Sequence, residues 1–365
     1  MEKIEDLFLP LVLPNGATIP NRIAMAPMTT KGATYDGIVL KEDIDFYSSR
    51  SSVGGLIITG ATAVSEHGEA FFYQASVSDD RFIEGLSKLA SVMKKEGGRA
   101  ILQIYHGGRQ AEVSQKNLGV VFAPSFIEFP FLEYDVKELQ LCEIWSIIDD
   151  FGQATRRAIS AGFDGIEIHG ANHHLIQQFF SSYSNRREDY FGGSLRKRMN
   201  FPLEIIKAVK KVVSDNASKE FIIGYRITQT EIHGENVGYG IEDSLQLIDE
   251  VLKIGIDYLH VSRPEYGDLI KQCISNRAAY IFMPRAASLN EVVHAASVGD
   301  MVSIGRLAIL NPAFSKTIKT KPEKISYELT SVSTIETLDL PTKLKYWFTN
   351  PDSGIPKFKG TEFLE

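Results

Sequence analysis

The stretch Gly165–Phe180, GIEIHGANHHLIQQFF, holds three of the chain's eight histidines, His169, His173 and His174, within six residues, with Asn172 among them. Imidazoles grouped in this way can ligate a metal, donate hydrogen bonds to a substrate oxygen, or fill a core. Three other short runs carry comparable chemistry: Gln103 in AILQIY, Arg226 in FIIGYR, and Gly305-Arg306 in MVSIGR. A metal hydrolase would need three or four His, Asp, Glu or Cys ligands aimed at one point. Helical i, i+4 spacing would put His169 and His173 on one face, but His169 closes an extended run, and the other runs end in Gln, Thr, Gly and Arg rather than carboxylates. The sequence therefore assigns no metal ligands. His173 reads as a surface residue or a support for its neighbours.

These residues need elements to bring them together. Eight β-branched or apolar runs recur along the chain: RIAMA (22–26), GLIIT (55–59), AILQIY (100–105), GIEIH (165–169), FIIGYR (221–226), DYLHV (257–261), YIFM (280–283) and MVSIG (301–305). Nearly continuous apolar runs suit parallel strands covered on both faces, and the intervening segments, such as DDRFIEGLSKLASVMKKEG and IEDSLQLIDEVLKIG, have helical period. In the first of these, Ser78, Asp79 or Asp80 is placed to cap and Gly97 to stop the helix. Eight such units predict an α/β fold, a (β/α)8 TIM barrel, whose chemistry gathers at the strand C-termini. A doubly wound sheet would carry a G-x-G-x-x-G or P-loop pattern after a strand, and neither occurs. LVLPNGATIPNRI predicts a β-hairpin turning at Asn15-Gly16 as a lid over the barrel's N-terminal end. PTKLKYWFTN, in the tail, predicts a helix packed outside the barrel. No linker or repeat divides the chain, so residues 1–365 read as one domain.

With 44% hydrophobic and 23% charged residues and a net charge of −7, the chain has the composition of a globular protein and no basic stripe for nucleic acid or an anionic membrane. The expected partner is a small molecule, with a homo-oligomer left open. Cys142 and Cys273 are the only cysteines, which leaves no disulfide framework and no iron–sulfur ligation. The start MEKIEDLFLP lacks a signal-peptide pattern and no run is long enough for a membrane span, so a cytoplasmic location is expected.

NRIAMAPMTT, GLIITGATAV, ILQIYHGGRQ, DMVSIGRLAILNPAF and above all GFDGIEIHGANHHLIQQFFSSYSNRREDYFGGSLRKRMNF resemble the old yellow enzymes, FMN-dependent ene-reductases on a (β/α)8 barrel. The resemblance covers nearly the whole chain. It implies that FMN is the cofactor, that NADPH or NADH is the reductant, and that an activated C=C beside a carbonyl, or a similar electrophile, takes the hydride from flavin N5. It also implies that Ala26, Pro27, Met28 and Thr29 line the flavin ring, that Ala61 and Gln103 border its pyrimidine edge, and that Arg226 lies against the N1/C2 side. Gly305 and Arg306 then meet the phosphate. His169 and Asn172 match the pair that grips the substrate carbonyl oxygen, where one good donor is worth about 3–4 kcal/mol. Two cysteines exclude the related branch that carries an iron–sulfur cluster.

Three places depart from the family pattern. The position two residues after Asn172, usually a tyrosine acid, is His174, which as an imidazolium of ordinary pKa about 6.5 could protonate the α-carbon, or could merely shape the pocket while solvent supplies the proton. Lys31 stands where many relatives have a substrate-reaching tyrosine, and reads as a solvated loop lysine. Residues 262–300 lack the glycine-rich end of strand seven that helps hold the phosphate, leaving Ser262, Arg263, Arg285 and Ala286 as candidate replacements. A flavin-binding relative with weak or lost reductase activity, used for sensing, is the alternative that these departures keep open.

Overall fold

The computed structural model describes residues 4–129, 132–285, 288–331, 335–353 and 359–364. Eight parallel strands close into a barrel: β1 (Ile23–Met25), β2 (Leu56–Ile58), β3 (Arg99–Tyr105), β4 (Gly165–Gly170), β5 (Ile222–Ile227), β6 (Tyr258–Val261), β7 (Ala279–Phe282) and β8 (Met301–Ile304). Each lies within one residue of its predicted bounds, the seventh included. Closure runs through β8–β1 (Val302↔Ile23), β1–β2 (Ala24↔Leu56) and β2–β3 (Leu56↔Arg99).

Seven helices return the chain between strands: α1 (Lys41–Ser49), α2 (Ile83–Met93), α3 (Leu141–Ser160), α4 (Asn200–Asn216), α5 (Ile241–Ile254), α6 (Gly267–Ile274) and α7 (Leu289–Val298). α3 shows why they form. Ile144, Ile147, Ile148, Phe151, Ala154 and Ala158 recur at helical spacing and are all buried, each large apolar side chain contributing about 1.5–3 kcal/mol. Before α2, Asp79 accepts from the Arg81 N–H, capping a short 3-10 turn (Asp80–Phe82) that leads into the helix. Gly97 beyond it has φ +86°.

Period two sorts each strand into two sets. Leu102, Ile104, Ile166, Ile168, Ile223 and Tyr225 pack outward in the main core beneath the helices. Ile101, Ile222, Tyr258, Ala279, Ile281 and Met301 face inward and share a second core with Leu13, Ala17 and Ile19 of the hairpin Leu11–Val12/Thr18–Ile19. The hairpin thus plugs the N-terminal end as expected, with Gly16 at φ +94° and the Asn15 Nδ2 donating to the Phe221 carbonyl at 3.0 Å. Gly224 is required by this interior: a Cβ there would lie 2.1 Å from Tyr258 Cζ. Higher up β3 to β6 the inward residues turn polar (Gln103, Glu167, His169, Arg226, His260), and all are buried.

One expectation needs correction. The helix Thr342–Thr349 forms, but it does not lie outside the barrel: Leu344, Trp347 and Phe348 line the cavity at the C-terminal rim together with Ala26, Arg226 and Arg306. Among the described residues no helix is long and apolar enough to cross a membrane.

Candidate active site

The rim cavity measures about 500 Å³, and its wall carries Ala26, Pro27, Met28 and Thr29 after β1, Arg226 from β5, and Gly305 and Arg306 after β8, a size within the roughly 300–1,000 Å³ of cofactor sites. Seven of the nine residues assigned to the cofactor are therefore gathered on one surface. Gln103 sits lower, fully enclosed, with its amide Nε2 donating to Glu167 Oε1 at 2.6 Å. Ala61 faces a small gap that also touches Thr29, where Gly60 lets the two strand ends approach: a Cβ on Gly60 would stand 2.5 Å from the Met28 carbonyl oxygen.

Glu167 is the residue that motif reasoning passed over. It is fully buried on the inward face of β4, two residues before His169, and accepts from Gln103 and from the His260 ring at 2.8 Å (Nδ1 to Oε2). Burial pushes its carboxyl up, but His260, Arg226 and Gln103 prevail and hold it below its ordinary value. The result is an anion in the barrel beneath Arg226, whose guanidinium is lowered by burial and raised again by Glu167. Arg226 Nε has no partner, so the barrel holds a cation with donor capacity left over at the cavity floor. The only sequence signal was a charged residue on the same inward face as His169 in a strand whose other face is apolar.

His169 and Arg226 are directly paired across β4 and β5. Burial lowers the His169 pKa well below its ordinary value, with His174, Arg226 and His260 adding to it, and its Nδ1 has no partner. The next turn places Asn172 and His173 in left-handed backbone, φ 56° and 63°, which asparagine tolerates better than most residues. It is pinned by the Asn172 N–H donating to Thr228 Oγ1 at 3.0 Å, which in turn meets Ser262 Oγ at 2.9 Å. Asn172 is exposed at the boundary between the rim cavity and a second, more polar one of about 870 Å³.

His174 lines the second cavity and is buried against His169 (ring centroids 4.9 Å), Tyr105 (4.9 Å) and Phe71 (6.0 Å). Burial, then the neighbouring His173, pulls its pKa down to about 3, so the ring is neutral near pH 7. Tyr105 does not stand in for the missing tyrosine, because its hydroxyl is bonded to Gln74 and accepts from the Ala70 N–H at 3.0 Å. Lys31 is also corrected: its Nζ lies 4.5 Å over the Trp347 ring and burial lowers its pKa, so it belongs to the wall of the second cavity and not to bulk solvent. His173 points elsewhere, toward His233 and Glu231, so the three histidines of the motif do not converge as metal ligands.

Ser262, Arg263 and Arg285 lie on the rim cavity with Arg306, and Ala286 is outside the described residues. Strand seven leads into Met283-Pro284, and proline offers no N–H. The donor set at this end is thus guanidinium-rich, which suits a phosphate. An apolar-walled cavity with a buried guanidinium whose Nε is left unpartnered at its floor, and three further arginines on its wall, fits FMN.

The family model for the NADH:flavin oxidoreductase / NADH oxidase family matches residues 6–324. A probable NADH-dependent flavin oxidoreductase of Bacillus subtilis is 34% identical, over 97% of this chain and 98% of its own length. An NADH:fumarate oxidoreductase of Klebsiella pneumoniae is 35% identical over the whole of this chain, which spans 42% of that protein. Among solved structures, morphinone reductase in complex with tetrahydroNAD superimposes with a TM-score of 0.77 at 28% identity, covering 90% of this chain and 93% of that one.

Proposed function

The chain belongs to the NADH:flavin oxidoreductase / NADH oxidase family, of old yellow enzyme type, and from that membership we propose that it reduces the activated C=C of α,β-unsaturated carbonyl compounds. It is an oxidoreductase that uses FMN and a nicotinamide reductant. When bound, FMN would supply the means of hydride transfer from the nicotinamide to the β-carbon of the alkene.

In this reading Ala26–Thr29 and Gly305 supply the close wall of the ring site, and Arg226 holds a fixed positive charge beside it, itself steadied by Glu167. Arg306, Arg263, Arg285 and Ser262 face the phosphate. Ala61 and Gln103 border the opposite edge. His169 and Asn172 converge on the substrate's carbonyl oxygen, where negative charge builds as the hydride arrives. The nicotinamide carboxamide uses the same two donors, so the reductant must leave before the alkene enters and ping-pong kinetics follow. His174, whose ring burial keeps neutral, shapes the wall beside the substrate, and solvent in the polar cavity supplies the proton to the α-carbon.

The observation that carries the proposal is the single cavity joining Ala26–Thr29, Arg226, Gly305 and Arg306 beneath Asn172. The test is a yellow protein that releases FMN on denaturation, is bleached anaerobically by NADH or NADPH, and regains colour with 2-cyclohexenone. A bleached protein recoloured by oxygen but inert to every enone would favour the sensing role, and a protein without flavin would end both readings.

A further inference from the structure

Among the described residues, one group of potential metal ligands lies outside the flavin cavity: His173, Glu231 and His233, whose ligand atoms are all within 4.8 Å of one another. Glu231 opens the hairpin Glu231–His233/Asn236–Tyr239 that follows β5. Its carboxylate is fully buried, while the His233 side chain at the hairpin's end is 40% exposed. His173 Nδ1 stands 3.5 Å from Glu231 Oε2, and His233 Nε2 stands 3.6 Å from Oε1. Both separations are long for a charged hydrogen bond. They are close to the roughly 3.3 Å edge of a tetrahedron built on metal–ligand lengths of about 2.0–2.1 Å.

The surroundings resemble the support that metal ligands receive. Glu231 accepts from Ser181 Oγ on one oxygen and from Gln177 Nε2 on the other, each at 2.7 Å, which fixes its plane and leaves lone pairs toward the two rings. Gln177 Nε2 also lies 3.2 Å from His173 Nδ1, an amide contact that a metal would displace from that nitrogen. Arg109, whose charge acts on the carboxylate, donates to Ser184 Oγ and lies over the Phe129 ring, with its Nε unpartnered.

We propose that His173, Glu231 and His233 bind one divalent ion of the zinc class, with water from the exposed His233 side completing its coordination. Two imidazoles and a carboxylate are a common zinc set. The ion ties the excursion hairpin to the turn that carries Asn172, immediately before His173, and so braces one of the two carbonyl donors. The site stands whether or not the alkene-reductase reading does.

The experiment uses the flavin-loaded protein after EDTA treatment and dialysis, titrated with Zn²⁺ by calorimetry and with Co²⁺ by visible absorption. One Zn²⁺ per chain and a cobalt spectrum of four-coordinate type are expected, with affinity at least about tenfold weaker in His233→Ala and unchanged in His294→Ala, an exposed histidine on α7. Because Glu231→Gln disturbs a buried hydrogen-bonded group, the exposed His233 variant carries the test. Absence of any bound ion, or equal affinity in wild type and His233→Ala, overturns the proposal.

Discussion

Asn172 sits in left-handed backbone with its side chain exposed between two cavities, so a fair test of its side chain must keep that backbone. Alanine would add strain, whereas glycine adopts φ near +56° without penalty. Asn172→Gly is therefore expected to retain FMN and fold, while slowing anaerobic reoxidation by cyclohexenone about 10²–10³-fold, the usual effect of losing one oxyanion donor. Stopped-flow measurement of that half-reaction decides it, and an unchanged rate removes Asn172 from the chemistry. His174 makes a prediction about pH. An ordinary imidazole would place an inflection in kcat/KM near 6.5, but burial among His169, Tyr105 and Phe71 moves this ring's pKa down to about 3. The free-enzyme profile should show no His174 inflection between about pH 5 and 8. An inflection near 6.5 that vanishes in His174→Phe would show that the ring titrates as an exposed one and that the pocket is more open than drawn.

At the scale of elements, the C-terminal helix Thr342–Thr349 closes the cavity that the barrel strands open. Leu344, Trp347 and Phe348 each add apolar wall, and Arg50, anchored to the Leu338 carbonyl at 2.9 Å, holds the chain just before the helix. A chain ending at Leu340 keeps that anchor. It is expected to fold with native circular dichroism and to bind FMN at least about tenfold more weakly, since loss of even one well-buried apolar contact exceeds 1.4 kcal/mol; equal flavin affinity by fluorescence titration would return the helix to an outer, inert position. At the other end of the cavity, Arg285→Ala should weaken FMN more than riboflavin, because only FMN carries the phosphate that we propose this cavity-lining guanidinium meets. Equal loss for both ligands would assign Arg285 a packing role instead. The eight strands were legible because strands covered on both faces must be apolar runs of fixed length, and GIEIH or FIIGYR can hardly be read otherwise. The helix was legible as a helix and not as a lid: its apolar stripe is the same whichever surface it covers. Lys31 failed for a related reason, since only the fold brings Trp347, more than 300 positions away, beneath its ammonium. Glu167 and His260 carried little sequence signal because they lie on different strands, and the pair exists only once β4 and β6 are set in one barrel.

Across the whole molecule, the site's polarity has a price in acid stability. His106 and His174 are both enclosed, and burial, reinforced by neighbouring histidines, lowers each to about 3. An unfolded chain would protonate them near 6.5, so between about pH 6.5 and 3 the unfolded state binds more protons and stability falls as the solution is acidified, by up to about 1.4 kcal/mol per pH unit for each group. Asp43 and Glu69 act in the opposite sense. Burial raises them to about 6 and about 7, so the folded state holds protons that the unfolded state has released, and their contribution grows on acidification from neutral pH. The wild-type profile is the difference of these effects, and a single variant is needed to separate them. His106 suits the purpose: its Nδ1 accepts the Gly108 N–H at 3.1 Å, which a glutamine oxygen can also accept, and its Nε2 is unpartnered. His106→Gln removes the titration and keeps the hydrogen bond. Urea unfolding at pH 6.5 and 4.5 should then show the variant losing less stability than wild type over that interval, by about 2–3 kcal/mol. Parallel losses in the two proteins would mean that His106 is solvated in the folded state, and that the enclosed histidine cluster beneath the substrate cavity does not exist in solution.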